Sequence, residues 1–576
     1  MKKRLPSKTS NFATLINENA FYVDKTAFIR ELESISDKNL FFLRPRRFGK
    51  SLLLSMLGHY YGIQYKERFD HLFGNYFIGS EENQTPLRNS YHVLNFNFSG
   101  IKTDKVDEVF LHFTSEISGA VRLFITKYNL FTDAETDDIF DHYDANSILR
   151  KLFFKLQGLH PEIKVYIFID EYDHFANELF AFSRDHFSEI VSQNGWMRKF
   201  FEVIKQFMGE GIIDRFFATG VTPVTLDSMT SGFNVSKNIT LDARFHNMAG
   251  FSEEEVRNLI SGTSNDKIML GMDSLLDDIR EWYNGSKFSV ESQQKLYNPQ
   301  ILINFLDYYY AFGKYPAEMY DPSVSSDYLK IKNQLSILRP QEANEVISEI
   351  IENEKITDRI TLQYNLEGRF SRTDLISLLF YNGLLTINDA EGSIMEYGIP
   401  NYVVKTMYWE FLRQSLVEEN LGRFNTDDLM EIFDEMRFEG KINKLVSYIS
   451  ALMDKISNRD LIGFRESNLK MLFLPVLNFA NIYKINSETE INRKYVDLLL
   501  KLQPEYRGKY SFILELKYMK KSESENYNSV RSEGIEQLAK YLSLKNLDKD
   551  KNLKAFLILF LNNKPEIVEV GGKETF

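Results

Sequence analysis

Short apolar runs recur through the first half of the chain, "NLFFLRP", "YHVLNFNF", "KVYIFIDE" and "DRFFATG", with stretches of helical periodicity between them. Runs of this length alternating with helices predict a mainly parallel sheet flanked by helices. The pattern changes near residue 290. From 291 to 455 it is mostly helical, with one interruption at "DLISLLFYNGLLTINDAEGSIMEYGIP". There a helix leads into a hairpin expected to turn at "NDAEG", a winged-helix-like unit. From 456 a helix "ESNLKMLFLPVLNFA" precedes the strand-like runs "NIYKINSETE", "RKYVDLLLKL" and "YSFILELKYM", then the helix "SEGIEQLAKYLSL" and the strand "KAFLILFL". The order is αβββαβ. The reading is an α/β multidomain chain divided at 1–290, 291–455 and 456–576.

A chain of 576 residues is too long for a single core, which agrees with that division. The absence of cysteine excludes disulfides, thiolate zinc sites and cysteine nucleophiles, and makes a reducing, cytoplasmic setting the default. The basic start "MKKRLPSKTSNF" runs into polar residues, and the longest apolar runs suit buried strands, so no export signal and no membrane partner are expected. A net charge of -12 argues against a broadly basic surface, so nucleic-acid contact would have to come from a local patch.

The candidate chemistry begins at "FFLRPRRFGKSLLLSML". Aligned on GxxxxGK[ST], Gly49, Lys50 and Ser51 take the last three places and Arg44 stands where the first glycine belongs. A strand-like run precedes the loop and a helical one follows it. Backbone N–H groups from Arg46, Arg47, Phe48 and Gly49 onward would cradle phosphates, Lys50 at a solvent-facing helix start would pair the β/γ oxygens of ATP, and Ser51 would ligate Mg²⁺. Of the side chains of Arg46 and Arg47, at least one is expected on a phosphate. Alone, "GKS" is also compatible with an ordinary helix start. The run "KVYIFIDEYDH" adds a Walker B pattern, with Asp170 at the strand end to hold Mg²⁺ through water and Glu171 as the base that polarises the attacking water. In "RFFATGVTPVT", Thr219 and Thr222 stand just past another apolar run, where a γ-phosphate sensor would sit, although a plain strand-to-loop turn reads the same way. His174, directly after the Walker B segment, is a candidate to support the site from behind, but reads first as a surface histidine at a helix start.

The C-terminal segment carries a second pattern. Glu515 and Lys517 are two apart in a strand and so share a face, while Asp497 lies in the preceding strand. Two acids from neighbouring strands make a hard oxygen site for Mg²⁺, and a lysine beside it can orient water or stabilise charge at phosphorus. This is the D…ExK constellation. A lone ExK is common on exposed strands; the αβββαβ order, with Gln537 and Tyr541 one turn apart on the next helix, makes it specific.

"YVDKT", "RPRRFGKS", "IDEYD", "ATGV", "GFSEEEV", "WYNG" and "YNP" occur in that order over most of the chain. As a set they closely resemble the bacterial AAA-ATPase-like family that carries a C-terminal PD-(D/E)xK nuclease-superfamily domain. The resemblance implies that Arg44 is the family's form of the loop, that residues 1–290 form a P-loop AAA-type ATPase fold, and that Lys50, Ser51, Asp170 and Glu171 are its nucleotide residues. It also implies a restriction-endonuclease-like C-terminal domain, with Glu466 as an additional acid and Glu488 as a weaker candidate. The expected function is a Mg²⁺-dependent ATPase whose nucleotide state controls a nuclease-like domain acting on DNA or RNA, with Glu171, Asp497, Glu515 and Lys517 as the reacting groups. The alternative is a nucleotide-gated scaffold whose nuclease fold binds partners without cutting. Self-association is left open, and Arg244 is one candidate for an arginine finger.

Overall fold

The computed structural model describes all residues but 1, 103–104, 142–143, 175–194, 224–235, 265–267, 270, 320–339, 365–369, 419–424, 456–463, 492–493, 504, 543–551 and 572–576. The chain forms two compact units, residues 1–312 with 320–404 and residues 313–319 with 405–576.

The first unit is built on a parallel sheet of β1 (Asn39–Leu43), β2 (His92–Asn97), β3 (Val165–Asp170), β4 (Ile213–Gly220) and β5 (Lys237–Asn238), in the order β2-β3-β4-β1-β5. All six residues of β3 are buried, which is why its sequence is a continuous apolar run rather than an alternation. The helices α1 (Lys50–Tyr61), α2 (Val106–Tyr128), α3 (Ala145–Leu159) and α4 (Trp196–Gly209) connect and cover these strands. Because β4 lies between β1 and β3, the loop after β1 and the acids ending β3 are two strand spacings apart, about 10 Å. Both follow the C-terminal ends of parallel strands, where open α/β sheets leave a crevice.

Further along the same unit, α5 (Pro299–Phe312) is followed by α6 (Pro340–Asn353), β6 (Lys355–Asp358), α7 (Arg372–Tyr381), β7 (Thr386–Glu391) and β8 (Ile394–Gly398). The last three strands pair antiparallel in the order β6-β8-β7, the helix-plus-wing arrangement that the pattern predicts. The hairpin turns later than expected. "NDAE" belongs to β7, and the reversal occurs at Gly392 and Ser393, where Gly392 supplies a φ of +62°.

The second unit carries α8 (Glu466–Leu477), β9 (Tyr483–Ile491), β10 (Lys494–Leu502), β11 (Ser511–Met519), α9 (Tyr527–Leu542), β12 (Leu553–Leu561) and β13 (Lys564–Glu569). The expected αβββαβ order is present. One strand was not anticipated: β13 folds back on β12 through a turn at Asn562, whose φ is +54°. The sheet order follows the chain, β9-β10-β11-β12-β13, with β11 and β12 parallel and every other pair antiparallel. Helix α9 packs Leu538 and Tyr541 onto Leu499, Ile513, Ala555 and Leu557. No helix among the described residues is long and apolar enough to cross a membrane.

One glycine of "WYNG" is required by the first unit. Gly285 has a φ of +146°, and a Cβ there would lie 1.6 Å from the carbonyl oxygen of Pro400. Gly285→Ala should destabilise the first unit by several kcal/mol, about 3 or more, since backbone must shift to admit the methyl. Gly119→Ala is the control. It lies within α2 with nothing within 4 Å of the added Cβ, so it should leave stability unchanged or raise it by up to about 1 kcal/mol in thermal or denaturant unfolding.

Candidate functional site

The loop after β1 is shaped by two left-handed residues, Arg47 at φ +71° and Gly49 at φ +91°, and Gly49 caps α1. Arg44, the residue in place of the first glycine, does not face a ligand. It is 1% exposed, and its guanidinium carbon sits 4.4 Å from the ring centres of both Phe42 and Phe288. Nη1 donates to the carbonyls of Leu43 (2.9 Å) and Thr240 (2.8 Å), and Nη2 to those of Phe245 and His246 (3.1 Å each). Burial pushes its pKa down to about 9. Arg44 is thus a strut that ties the loop to the segment following β5.

Lys50, expected at a solvent-facing helix start, is instead 6% exposed. Its Nζ donates to the carbonyls of Arg44 (2.9 Å) and Pro45 (3.1 Å). Burial lowers its pKa, partly offset by the carboxylates of Glu171 and Asp170. Arg46, Arg47, Phe48, Gly49, Lys50 and Ser51 all border one cleft of about 460 Å³, and Glu171 and His174 border it too. The Phe48 ring also packs edge-on against Phe288 at 5.4 Å, so this residue anchors the loop as well as lining it.

Asp170 and Thr219 are brought together but are not lining residues of the cleft: Thr219 Oγ1 donates to Asp170 Oδ1 at 2.8 Å. Parallel strands β3 and β4 set this contact by ending side by side. Glu171 has a φ of +51°, a left-handed conformation unusual for glutamate. His174, read from sequence as a surface histidine, lies with Nδ1 3.3 Å from Glu171 Oε2 and is a neighbour of that carboxylate. Arg244 pairs with Asp242 of its own turn, Nη2 to Oδ2 at 2.6 Å.

The rest of the cleft has no assigned role in the sequence reading. Its walls come from Pro6–Ser10, Phe21–Val23, Met248–Phe251 and the start of α5 at Pro299 and Gln300. The motifs YVDKT, GFSEEEV and YNP each contribute to them. Asn298 caps α5 through Oδ1 and donates from Nδ2 to the Arg46 carbonyl at 3.2 Å, joining the helix to the loop.

In the second unit the D…ExK residues converge. Lys517 Nζ lies 3.0 Å from Glu515 Oε1 and 3.1 Å from Glu466 Oε1, so the acid opening α8 belongs to the cluster. Asp497 Oδ2 accepts from the backbone N–H of Leu516 at 2.8 Å. Glu515 is 0% exposed, and neither of its oxygens receives a well-directed hydrogen bond. Burial, then the Asp497 carboxylate, pushes its pKa up to about 7. Burial also raises Glu466. Lys517 is buried, which works against its charge, but Glu515, Asp497 and Glu466 outweigh this and raise its pKa. Gln537 Nε2 donates to the Tyr541 hydroxyl at 2.9 Å on α9, as their one-turn spacing implies. Glu488 lies outside the described side chains. Among the described residues no group of three or more His, Cys, Asp or Glu could hold a metal, so a cation would rest on Asp497 and Glu515 with water or substrate oxygens completing its shell.

A buried carboxyl with a raised pKa has a defined effect on stability. Its folded pKa of about 7 lies above the unfolded value near 4.5, so its contribution is full below 4.5 and is lost as pH rises through 7. In a metal chelator, the melting temperature of wild-type protein should therefore fall between pH 4.5 and 7 relative to Glu515→Gln. Parallel pH profiles for the two would remove this cause.

Comparison with known proteins agrees with this layout. The model of a family described as a predicted AAA-ATPase matches residues 6–230, and that of the PD-(D/E)XK nuclease superfamily matches residues 464–570. An uncharacterised protein in the vnfD 5' region of Azotobacter chroococcum mcd 1 is 25% identical over 309 residues, 52% of this chain and 51% of the relative. The chain thus spans about half the length of the curated relative it matches. A solved structure of the Aeropyrum pernix ORC1 protein in complex with DNA covers 70% of this chain and 93% of its own at 10% identity, with a TM-score of 0.25, too low a likeness to bear on the fold. One chain therefore carries an AAA-ATPase-like domain at 6–230 and a PD-(D/E)XK nuclease-superfamily domain at 464–570.

Proposed function

We propose that the protein is a Mg²⁺-dependent ATPase whose nucleotide state controls a nuclease-like C-terminal domain acting on nucleic acid, with residues 291–455 as the coupler. The observation that supports it best is the convergence of Arg46, Arg47, Gly49, Lys50, Ser51 and Glu171 on one cleft of about 460 Å³, within the size range of small-ligand sites. The backbone N–H groups of the loop and of the first turn of α1 receive the phosphates. Lys50 exchanges the carbonyls of Arg44 and Pro45 for the β/γ oxygens, and Arg46 and Arg47 add positive charge. Glu171 accepts the proton of the attacking water. Ser51 would hold Mg²⁺ and Asp170 would reach it through water, with Thr219 fixing the carboxylate of Asp170. Bound Mg²⁺ would neutralise charge on the phosphate oxygens.

The C-terminal cluster fits a divalent cation on its own evidence. Glu515 is a buried carboxylate whose oxygens lack well-directed donors, and Asp497 offers a second acid beside it. Lys517 would orient water or stabilise charge at phosphorus. A second reading draws on the same cluster: with its ammonium already shared between Glu515 and Glu466, Lys517 is also arranged as it would be in a binding module that does not cut.

Three outcomes are expected. Lys50→Met keeps the aliphatic stem but removes the ammonium, and should weaken ATP binding at least about tenfold in a titration while the protein still melts cooperatively. Glu171→Gln should retain binding and lower turnover by about 10²-fold or more; equal loss of both would make Glu171 structural. Mg²⁺ or Mn²⁺ should raise the melting temperature of the full chain. That stabilisation should survive in Lys517→Ala, which loses cleavage, and vanish in Asp497→Ala. Plasmid nicking and ATPase assays on one preparation decide between the readings, since a scaffold would give metal and nucleotide binding without nicked DNA or cleaved RNA.

A further inference from the structure

We propose that Asp173 is a positioning residue for ATP hydrolysis, whose buried carboxylate clamps Val221 and Thr222 at the end of β4 and so holds Glu171 in its left-handed, cleft-facing conformation. The proposal rests on the ATPase reading above.

Asp173 is 2% exposed. Its two carboxylate oxygens each lie 3.1 Å from the N–H of Val221, which donates to them, and Oδ2 also accepts from Thr222 N (2.7 Å) and Thr222 Oγ1 (2.9 Å). The neighbouring Tyr172 ties the same loop from the other direction. Its hydroxyl donates to the Thr222 carbonyl at 2.7 Å and its backbone N–H to the Thr219 carbonyl at 3.0 Å. Gly220 completes the fit, because a Cβ there would stand 2.4 Å from Asp173 Oδ1 and 2.5 Å from the Tyr172 ring. Residues 170–173 and 219–222 are therefore laced together at several points, beginning with Thr219 on Asp170.

Glu171 sits inside this lacing with a φ of +51°. A glutamate keeps such a backbone conformation only where its surroundings over-determine it, and this kind of strain concentrates at functional sites. On the N-terminal side the constraint is strand β3 and Asp170; on the C-terminal side it is Tyr172 and Asp173. If the C-terminal constraint is loosened, Glu171 can relax to an ordinary backbone conformation and carry its carboxylate away from the cleft. Displacements of about 1 Å in a reacting group cost on the order of 10²-fold in rate. Asp173 is not among the cleft's lining residues, although its carboxylate also acts at a distance on Lys50, so a change in nucleotide affinity would report that second route. The effect of Asp173 on turnover would pass through Glu171.

The test uses the full chain and Asp173→Asn, which keeps the shape but removes the charge and one acceptor oxygen. Turnover should fall about 10- to 100-fold while affinity for a fluorescent ATP analogue changes less than about threefold. The amides of Val221 and Thr222 should exchange with deuterium faster than in wild type, a readout independent of turnover. In a Glu171→Gln background, the same substitution should lower the residual rate by less than about twofold, because the two residues act through one geometry. Wild-type turnover in Asp173→Asn, or an undiminished rate loss in the Glu171→Gln background, would overturn the proposal. So would a loss of nucleotide affinity as large as the loss of rate. If Asp173→Asn does not fold, Thr222→Val carries the test. It keeps the carboxylate and both backbone donors, and should lower turnover about fivefold with affinity unchanged; unchanged turnover overturns the proposal. A wild-type protein that binds ATP but does not hydrolyse it would fail the ATPase reading and the proposal together, whereas an active wild type with an unaffected Asp173→Asn fails the proposal alone.

Discussion

Burying the Arg44 guanidinium requires that something replace its water, and four backbone carbonyls with two aromatic faces do so. That arrangement determines much of the first unit. The carbonyls belong to Leu43 at the end of β1 and to Thr240, Phe245 and His246 after β5, so one side chain fixes the phosphate loop against the segment that supplies Met248–Phe251 to the cleft wall. The N–H of Gly250 then donates to the Phe48 carbonyl at 3.0 Å, closing the loop from the opposite side. Phe288, one of the two stacking rings, packs on Phe380 of α7 at 6.0 Å, which carries the same contact chain toward the helix-plus-wing segment. A glycine in place of Arg44 would supply flexibility where this fold uses a rigid post.

The two sites solve the problem of buried charge differently. Around the cleft, Arg44 and Lys50 rest on neutral carbonyls, so the loop is satisfied before any ligand arrives, and an incoming phosphate must out-compete two hydrogen bonds on Lys50. In the second unit the charges face one another. Glu466, Asp497 and Glu515 all act on the Lys517 ammonium, and Lys470 also acts on Glu466. Carboxyl groups held this close repel one another wherever they are ionised, and the cation proposed above would relieve that repulsion.

What could be read from the sequence was whatever lies in short continuous segments. The apolar runs, "RPRRFGKS", "IDEYD" and the ExK strand place their residues by local geometry alone; Lys50 and Glu171 border one cleft, Lys50 buried rather than solvent-facing, and Glu515 and Lys517 meet on one strand face. What could not be read depends on partners distant in the chain. Nothing near Arg44 announces Phe288 or Thr240. The pairing of His174 with Glu171 depends on how the chain turns after a strained residue, and the carboxylate of Asp173 finds Thr222 only because β3 and β4 end side by side. The hairpin reverses at Gly392 for a local reason: "NDAEG" is rich in turn formers, but the one residue of it with a left-handed backbone sits at its end. The strand β13 was missed because "KPEIVE" opens with lysine and proline, which are tolerated there on an edge strand.

The second unit is not one continuous piece of chain. Residues 313–319 pack with 405–576, and Asn481 donates from Nδ2 to the Ala317 carbonyl at 2.9 Å. During synthesis this strap leaves the ribosome several seconds before its partners, at about 5–20 residues per second, and must wait unpaired while the remainder of the first unit, residues 320–404, is made. Neither unit can therefore be lifted out as a simple cassette: a cut after residue 404 would strand the strap on the wrong fragment, and any recombination between relatives that exchanged only the C-terminal part would have to preserve an edge contact encoded far upstream.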